Sequence, residues 1–408
     1  MTESISLDFK DWRDAQAIIA QGCLTNSKSP RSHIYGVYPT HVKNGDRCYL
    51  FGHDDTRYTD YICGLGANLV GYNNTTINQA ITDAIRGGIS HSLPTDWEIR
   101  AAQAIQSVVP WINRVKFLKT GSGACDASLI IARAFTKRRK VLTSGYHGWG
   151  QEWTSLTPPA HGCLKYDDIE HFSDPEQIDT NTAAVIVEPI MLEDSIANRR
   201  WLKDIRARCN DTGAVLIFDE IITGFRVPKL TVSEYYKVRP DLLLLGKAMA
   251  GGAPLSAVCG HADIMDEPYF VSSTFAGEVI GLAACIANIN LLTRKPDYHV
   301  DNVWKMGGHF MDEFNKIWPD GVRLEGYQTR GRFVGGELTR ALFFQEAIKS
   351  GLLFGPSWFY TIHHEAERKT TLDICNDILM RIKRGGVQLE GEMPQSPFAM
   401  KVRDHERH

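Results

Sequence analysis

The sequence predicts an α/β fold in which a mostly parallel central sheet is flanked by helices, with a smaller α+β domain formed by the two chain ends. Short aliphatic runs alternate with amphipathic stretches through the middle of the chain. This alternation is typical of a parallel sheet covered by helices. The run Leu242–Leu245 is apolar at every position, as expected for a strand that is buried on both faces.

Five runs define the strands of the predicted sheet: 114–119, 140–144, 183–188, 214–220 and 242–246. Helices are predicted between them, and the stretch "RRWLKDIRARCNDTG" ends in a glycine, as helices often do. Upstream of the first strand, Thr95 and Glu98 have the spacing of a capping box, which predicts the start of a helix.

The chain is predicted to divide into three parts. Residues 1–55 read as turns and short hairpin strands, an N-terminal segment that packs with the small domain. Residues 56–290 contain the alternating runs and are predicted to form the large α/β domain. Residues 291–408 mix helices with the run "RGRFVGGEL" and are predicted to form the small C-terminal α+β domain.

Composition excludes several classes of protein. The 408 residues are 43% hydrophobic and 23% charged, the mixture of an ordinary soluble globular protein. A net charge of −3 creates no global field for nucleic acid or an anionic membrane, so neither is predicted as a partner. Nine cysteines without a C-x-x-C pair, and an amino terminus without an apolar core, predict a cytoplasmic protein with reduced thiols and no metal site.

Two glycine-containing turns follow predicted strands, at the edge where open α/β sheets bind ligands. The turn Thr120–Gly123 precedes a helix, and its backbone N–H groups suit a phosphate or a carboxylate. In the second turn, "SGYHGWG", Tyr146, His147 and Trp149 place flat rings at a strand end. These rings either seal the edge of the sheet or stack on a planar cofactor.

Two charged residues also stand at strand ends. Asp219 closes a hydrophobic strand, where a carboxylate needs a partner and can hold the proton of a pyridine nitrogen, with Ile221 on the same face. Glu220 and Arg226 are predicted to form a supporting ion pair. Lys247 follows the next strand; it either reaches for water or is kept partly dry, as a nucleophile toward a carbonyl.

Together these residues match what pyridoxal phosphate requires of a protein. The cofactor needs an anion-binding turn for its phosphate, an aromatic side chain that stacks on its ring, a carboxylate for its ring nitrogen and a lysine for its aldehyde. The motifs "LIFDEIITGFR", "RPDLLLLGKAMAGGAPLSAVCG" and "SSTFAGEVIGLAA" occur in this order. Here the sequence resembles the class III pyridoxal-phosphate-dependent aminotransferases of fold type I, closest to the glutamate-1-semialdehyde 2,1-aminomutase-like branch. The resemblance covers nearly the whole chain.

The resemblance implies that two residues are catalytic, Lys247 as the Schiff-base lysine and Asp219 as the pyridinium partner. It implies that Thr274 reaches the phosphate of the neighbouring subunit, and therefore that the protein is a homodimer with shared active sites. Gly121 and Ser122 would hold the phosphate, and Tyr146 and Ile221 would stack on the two ring faces. The full implied cofactor-binding set is Gly121, Ser122, Gly123, Tyr146, His147, Glu188, Asp219, Ile221, Lys247 and Thr274.

The sequence also departs from the family pattern near the site. Gly123 stands where many relatives have a glutamate, and Glu278 stands in place of an asparagine. The aminomutases' S-P-V-R is shortened to a segment that ends at Arg31. Arg31, Trp149 and Glu278 are therefore the candidate substrate residues.

The predicted activity is that of an aminotransferase or aminomutase that moves an amino group on a small amino, keto or aldehyde substrate, with Lys247 as the general acid and base. One alternative is a pyridoxal-phosphate-dependent decarboxylase or epimerase that acts on an amino acid attached to a larger molecule. An alternative of another class is a catalytically silent binding protein on the same fold.

Overall fold

The computed structural model describes residues 12–150 and 166–396. Within these ranges the strands are, in chain order, β1 (Asn44–Asp46), β2 (Tyr49–Phe51), β3 (Arg57–Asp60), β4 (Arg114–Leu118), β5 (Lys140–Ser144), β6 (Ile169–His171), β7 (Thr182–Val187), β8 (Val215–Asp219), β9 (Leu242–Leu245), β10 (Ser256–Gly260), β11 (Arg323–Tyr327), β12 (Arg330–Val334), β13 (Leu352–Leu353) and β14 (Trp358–Phe359).

The helices of the same ranges are Trp12–Ile18, Cys63–Gly66, Thr75–Ile85, Asp96–Val108, Gly121–Thr136, Ile196–Thr212, Val232–Tyr236, Ala262–Met265, Val279–Arg294, Val300–Ile317, Glu337–Lys349 and His364–Lys383. None of them is both long enough and apolar enough to cross a membrane. The predicted glycine stop is confirmed, because Gly213 ends the helix Ile196–Thr212 with a φ of 73°. At the predicted helix start, the Glu98 carboxylate accepts a hydrogen bond from the Thr95 N–H at 3.3 Å.

The central sheet has seven strands in the order β4-β10-β9-β8-β7-β5-β6. The five predicted strands are all present, and β6 and β10 are additional. Strands β6, β5, β7, β8 and β9 pair in parallel, whereas β10 is antiparallel to both β9 and β4. The predicted α/β fold with a mostly parallel sheet is therefore confirmed.

The three central strands are buried on both faces, as the aliphatic runs predicted. Alternate residues of β7, β8 and β9 enter two separate apolar clusters, one on each side of the sheet. One cluster includes Phe218 and Leu243, and the other includes Ile217 and Leu244. Because successive side chains of a strand point to opposite faces, this division requires helices on both sides of the sheet.

The strand directions position the functional site. Since β10 is antiparallel to both neighbours, β4 runs in the same direction as β5, β7, β8 and β9. The carboxyl ends of these five strands therefore meet at one edge of the sheet. The turn after β4, the turn after β5, Glu188 after β7, Asp219 at the end of β8 and Lys247 after β9 all lie at that edge.

The two ends of the chain contribute to a common sheet. Strands β1, β2 and β3 form a meander, and β13 from the C-terminal part pairs in parallel with β3. A third sheet contains β11, β12 and β14. The domain boundaries at 55 and 290 remain a prediction, and β3 lies just beyond the first of them.

Candidate active site

A cavity of about 320 Å³ opens at the carboxyl edge of the central sheet. It brings together eight of the residues that the sequence singled out: Gly121, Ser122, Tyr146, His147, Glu188, Asp219, Ile221 and Lys247. Lys119, Ala67 and Pro254 also line it. Among the described residues, Gly123, Arg31, Trp149, Thr274 and Glu278 do not line this cavity.

Lys247 is held at the cavity by an unusual backbone conformation. It follows Gly246 and has a φ of 42°, in the left-handed region that non-glycine residues rarely adopt. Burial lowers the pKa of Lys247, whereas the charges of Asp219 and Glu188 raise it, and burial is the larger effect. The amine is therefore neutral more often than that of an exposed lysine, as a nucleophile requires.

Asp219 is a buried carboxylate that three donors hold in place. Its Oδ2 accepts hydrogen bonds from His147 Nδ1 at 2.8 Å and from the Cys125 thiol at 3.5 Å. Its Oδ1 accepts the Ile221 N–H at 3.1 Å. These bonds orient the carboxylate toward the cavity, where a negative charge stabilises a protonated ring nitrogen.

The turn after β4, the predicted anion cradle, leads directly into the helix Gly121–Thr136. The Thr120 hydroxyl caps the helix Gly121–Thr136 by accepting the Gly123 N–H at 3.1 Å. The N–H groups of Gly121 and Ser122 belong to the first turn of this helix, where backbone donors have no partner within the helix. They lie at the positive end of the helix dipole, which favours an anion. The Gly123 N–H is bonded within the turn, and the contact of Gly123 with the cofactor stays a prediction.

Glycines in the two turns allow close backbone packing, of the first turn against Ile221 and of the second turn against Ser122. A Cβ on Gly121 would lie 2.9 Å from Ile221 Cδ1, and one on Gly148 would lie 2.2 Å from Ser122 Oγ. Side chains at either position would fill the cradle. Ser122 Oγ also accepts the Trp149 N–H at 3.1 Å, which joins the two turns.

Tyr146 and Ile221 both line the cavity, as the predicted ring-stacking pair requires. The Tyr146 N–H donates to Glu188 Oε1 at 2.7 Å, and this bond fixes the start of the aromatic turn. The Tyr146 side chain is partly exposed at the cavity. Stacking of these two residues on opposite faces of a planar ring stays a prediction.

Glu188 is buried between the cavity and a residue from the C-terminal part of the chain. Its Oε2 lies 3.7 Å from Arg330 Nη1, and Arg330 also donates to the Met191 carbonyl. Burial raises the pKa of Glu188, and the Arg330 guanidinium opposes this increase. The Arg330 guanidinium therefore favours the charged form of Glu188, although burial remains the larger effect on its pKa.

Replacing Glu188 with glutamine is expected to lower the pKa of Lys247 further, because the substitution removes a negative charge that raises it. The pH dependence of Lys247 acylation in the cofactor-free protein, followed by peptide mass spectrometry, measures this shift. Glu170→Gln, an exposed change on β6, is the control and should leave the profile unchanged. A Glu188→Gln profile that is unchanged or moved to higher pH would contradict the assignment.

Glu278, a predicted substrate residue, bonds within its own chain in this structure. Its carboxylate caps the helix Val279–Arg294 by accepting the N–H groups of Ile280 at 2.8 Å and Gly281 at 2.9 Å. The same carboxylate forms an ion pair with Lys119 at 2.5 Å. Both oxygens are therefore engaged within the chain, and Lys119 is the residue of this pair that lines the cavity.

Three further predicted site residues, Arg31, Trp149 and Thr274, do not line the cavity of their own chain. The Arg31 guanidinium stands 5.6 Å from the centroid of the Tyr35 ring. The Trp149 side chain is 74% exposed, so it forms no wall of the site. Thr274 is exposed on the segment that precedes the helix Val279–Arg294.

The predicted ion pair between Glu220 and Arg226 is wrong. Glu220 accepts the N–H groups of Val232 and Ser233, at 2.7 and 3.0 Å. Burial raises its pKa to about 8, so the group is often neutral at physiological pH. Arg226 instead donates to the Gly66 carbonyl, through Nε at 3.0 Å and Nη2 at 2.7 Å.

Sequence reasoning missed three residues of the site: Lys119, Cys125 and Arg330. Lys119 and Cys125 flank the recognised cradle, one at the end of β4 and one in the first turns of the following helix. Their positions next to that motif could have indicated that they belong to the site. Arg330 comes from β12, and nothing in its local sequence indicates that it approaches Glu188.

These residues fit pyridoxal 5′-phosphate. Glycines keep the cradle open for a phosphate, Asp219 offers a fixed carboxylate to a ring nitrogen, and Lys247 offers an amine of lowered pKa in the same cavity. The fold and the site together define a pyridoxal-phosphate-dependent enzyme of fold type I.

Comparison with known proteins identifies the family. The sequence matches the class-III aminotransferases over residues 32–165 and 163–381, and the chain belongs to this family. It is 26% identical to a glutamate-1-semialdehyde 2,1-aminomutase of Syntrophobacter fumaroxidans, across 91% of this chain and 97% of that protein. The corresponding protein of Wigglesworthia glossinidia brevipalpis is 28% identical, across 93% of this chain and 98% of its own length.

Solved structures share the fold. The FumI protein of Sphingopyxis sp. MTA144, in its PLP internal aldimine form, superimposes with a TM-score of 0.85 at 22% identity, covering 92% of this chain and 97% of that one. An omega-transaminase from Sphaerobacter thermophilus gives a TM-score of 0.79 at 20% identity, covering 91% and 97%. These similarities confirm the predicted fold type.

Proposed function

We propose that the enzyme moves an amino group on a small amino, keto or aldehyde substrate, either between two molecules or within one. The observation that carries this proposal is the presence of the Lys247 amine and the Asp219 carboxylate in one cavity, beside the anion cradle. When bound, pyridoxal phosphate supplies an electron sink that weakens the bonds at the carbon bearing the substrate's amine.

Lys247 has the proton-transfer role in this proposal. Its Nζ would take a proton from the carbon that bears the substrate's amine, acting as a base, and would hold that proton for return, acting as an acid. Because burial lowers the pKa of Lys247, its amine loses a proton more readily than that of an exposed lysine, as a base requires. Asp219 remains the fixed carboxylate that favours a protonated ring nitrogen, oriented by His147.

A product assay tests the reaction type. The holoenzyme is incubated with a panel of small amines and amino acids, with and without an α-keto acid, and products are identified by mass spectrometry. Turnover that requires the keto acid indicates transfer, and an isomer formed without it indicates a 1,2-shift, as the names of the aminomutase relatives suggest. A product that lacks the carboxylate would support a decarboxylase, and absence of any product would support a silent binding protein.

We also propose that the enzyme is a homodimer with shared active sites. Thr274 is exposed and lies between two exposed apolar side chains, Phe270 (86%) and Phe275 (59%). Burial of such side chains against a second copy is favourable, and it would carry Thr274 toward that copy.

Mixing two inactive variants tests the shared site. Lys247→Ala and Thr274→Ala dimers, dissociated and reassociated together, are expected to recover about a quarter of wild-type activity. Half of the random dimers are mixed, and each of these has one intact site. Each variant reassociated alone is the control. No recovery, with mixed dimers verified by mass, would contradict sharing.

Replacing Arg31 with alanine is expected to change kcat/KM by less than about threefold, because its guanidinium packs on Tyr35 rather than against the cavity. Steady-state kinetics on the best amine measures this effect. A loss of roughly 30-fold or more, not rescued by Arg31→Lys, would instead establish the arginine as a bidentate clamp for a substrate carboxylate.

We propose a cytoplasmic location. None of the eight cysteines in the described ranges forms a disulfide, and seven of them are buried. Free buried thiols are usual in a reducing compartment.

A further inference from the structure

Two residues of the cavity wall, His147 and Asp219, belong to a buried cluster of three potential metal ligands. Cys125 Sγ, a ring nitrogen of His147 and a carboxylate oxygen of Asp219 all lie within 4.8 Å of one another, and all three residues are buried. They come from the helix Gly121–Thr136, the turn after β5 and the end of β8. No local motif indicates this cluster, because the three residues are far apart along the chain.

The donor atoms are those that zinc prefers. Protein Zn²⁺ is bound by cysteine sulfur at about 2.3 Å, histidine nitrogen at about 2.0 Å and carboxylate oxygen at about 2.1 Å. Among divalent ions, the sulfur donor favours thiophilic cations over Mg²⁺ and Ca²⁺. The chemistry of the cluster therefore points to zinc and to its close analogues Co²⁺ and Cd²⁺.

The spacing of the cluster is close to what such an ion requires. Tetrahedral coordination at these bond lengths places the ligand atoms roughly 3.3 to 3.6 Å apart. The distance from Cys125 Sγ to Asp219 Oδ2 is already 3.5 Å. The distance from His147 Nδ1 to Asp219 Oδ2 is 2.8 Å, so this pair must separate by about half an ångström when an ion replaces the proton between them.

Because of the location of the cluster, a metal ion and the cofactor would compete for Asp219. His147 and Asp219 both line the cavity that also contains Lys247. Asp219 is also the residue assigned to the ring nitrogen of the cofactor. One carboxylate oxygen, bonded to a metal and oriented by Cys125 and His147, cannot serve that nitrogen at the same time.

We propose that Cys125, His147 and Asp219 form a binding site for one thiophilic divalent cation in the cofactor-free enzyme, and that cation and cofactor exclude each other. The cation replaces the proton on Cys125 Sγ, which passes to water, and the proton on His147 Nδ1, which moves to Nε2 of the same ring. Only the exclusion rests on the proposed function; the metal site itself does not.

A cobalt titration of the cofactor-free full chain tests the site. The wild-type protein is expected to bind one Co²⁺ with a near-ultraviolet thiolate-to-cobalt band. Cys125→Ser should lose the band and bind Co²⁺ more than about tenfold more weakly. Cys259→Ser, a buried cysteine on β10, is the matched control and should keep both. Preloading with pyridoxal phosphate should prevent binding, and Zn²⁺ should slow cofactor uptake until a chelator is added.

A cobalt band that persists in Cys125→Ser, or equal binding by the cofactor-free and loaded wild-type enzymes, would overturn the proposal. If circular dichroism shows that Cys125→Ser is unfolded, two other measurements decide the question. They are the cobalt band of His147→Gln, which should be lost, and the competition between Co²⁺ and pyridoxal phosphate in the wild-type protein. Cobalt binding that depends on Cys125, in a protein whose Lys247 carries no cofactor, would leave the metal site standing while the proposed function failed.

Discussion

Alanine in place of Lys247 is expected to lower turnover by at least about 10³-fold, because one positioned acid–base group contributes on the order of 10²–10⁴ and this lysine also bonds the cofactor. The variant should fold and still hold pyridoxal phosphate without a covalent link, since the cradle and Asp219 are untouched. Turnover of the best amine and the visible absorption band of the purified protein measure the two effects.

Lys203→Ala is the control for this experiment, since Lys203 is exposed on the helix Ile196–Thr212. It should keep both the turnover and the absorption band of the wild type. A Lys247→Ala enzyme with turnover within tenfold of wild type would show that another group moves the proton.

Asparagine in place of Asp219 has the second largest expected effect, a loss of about 10²–10³-fold in kcat/KM. The substitution conserves shape but removes the charge that favours a protonated ring nitrogen, and a preorganised electrostatic group of this kind is worth about that much. It also removes the negative charge that raises the pKa of Lys247 most. The pH–rate profile should therefore move to lower pH.

Asp241→Asn is the matched control, because Asp241 lies beside the opposite end of β9 and pairs with Arg206 at 2.9 Å. This change should affect stability more than kcat/KM. If Asp219→Asn keeps kcat/KM within about threefold of wild type, the carboxylate does not support the cofactor and the site assignment is wrong.

The strands that build the site could be predicted because their composition leaves few alternatives. The apolar run Leu242–Leu245 is bounded by Asp241 and Gly246, and the apolar run 214–218 is bounded by Gly213 and Asp219. Runs of this length and composition favour buried parallel strands. Once the strands run in parallel, their carboxyl ends meet at one edge. Asp219 and Lys247 could therefore be placed together without any knowledge of side-chain geometry.

The outer part of the site could not be predicted, because its contacts join segments that are distant in sequence. Lys119 and Glu278 form their ion pair across 159 positions. Arg330 approaches Glu188 only because the C-terminal part of the chain packs beside the central sheet. Helix capping also changed the interpretation of Glu278, since the carboxylate that the motif offered to a substrate instead satisfies the first N–H groups of a helix.

The identity of the lysine that bonds the cofactor tests the account most directly. The holoenzyme is reduced with borohydride, which makes the covalent link permanent, then digested and mapped by mass spectrometry. We expect one cofactor adduct per chain, on the peptide that contains Lys247. An adduct on Lys119, which lines the same cavity, on any other lysine, or on none would contradict it.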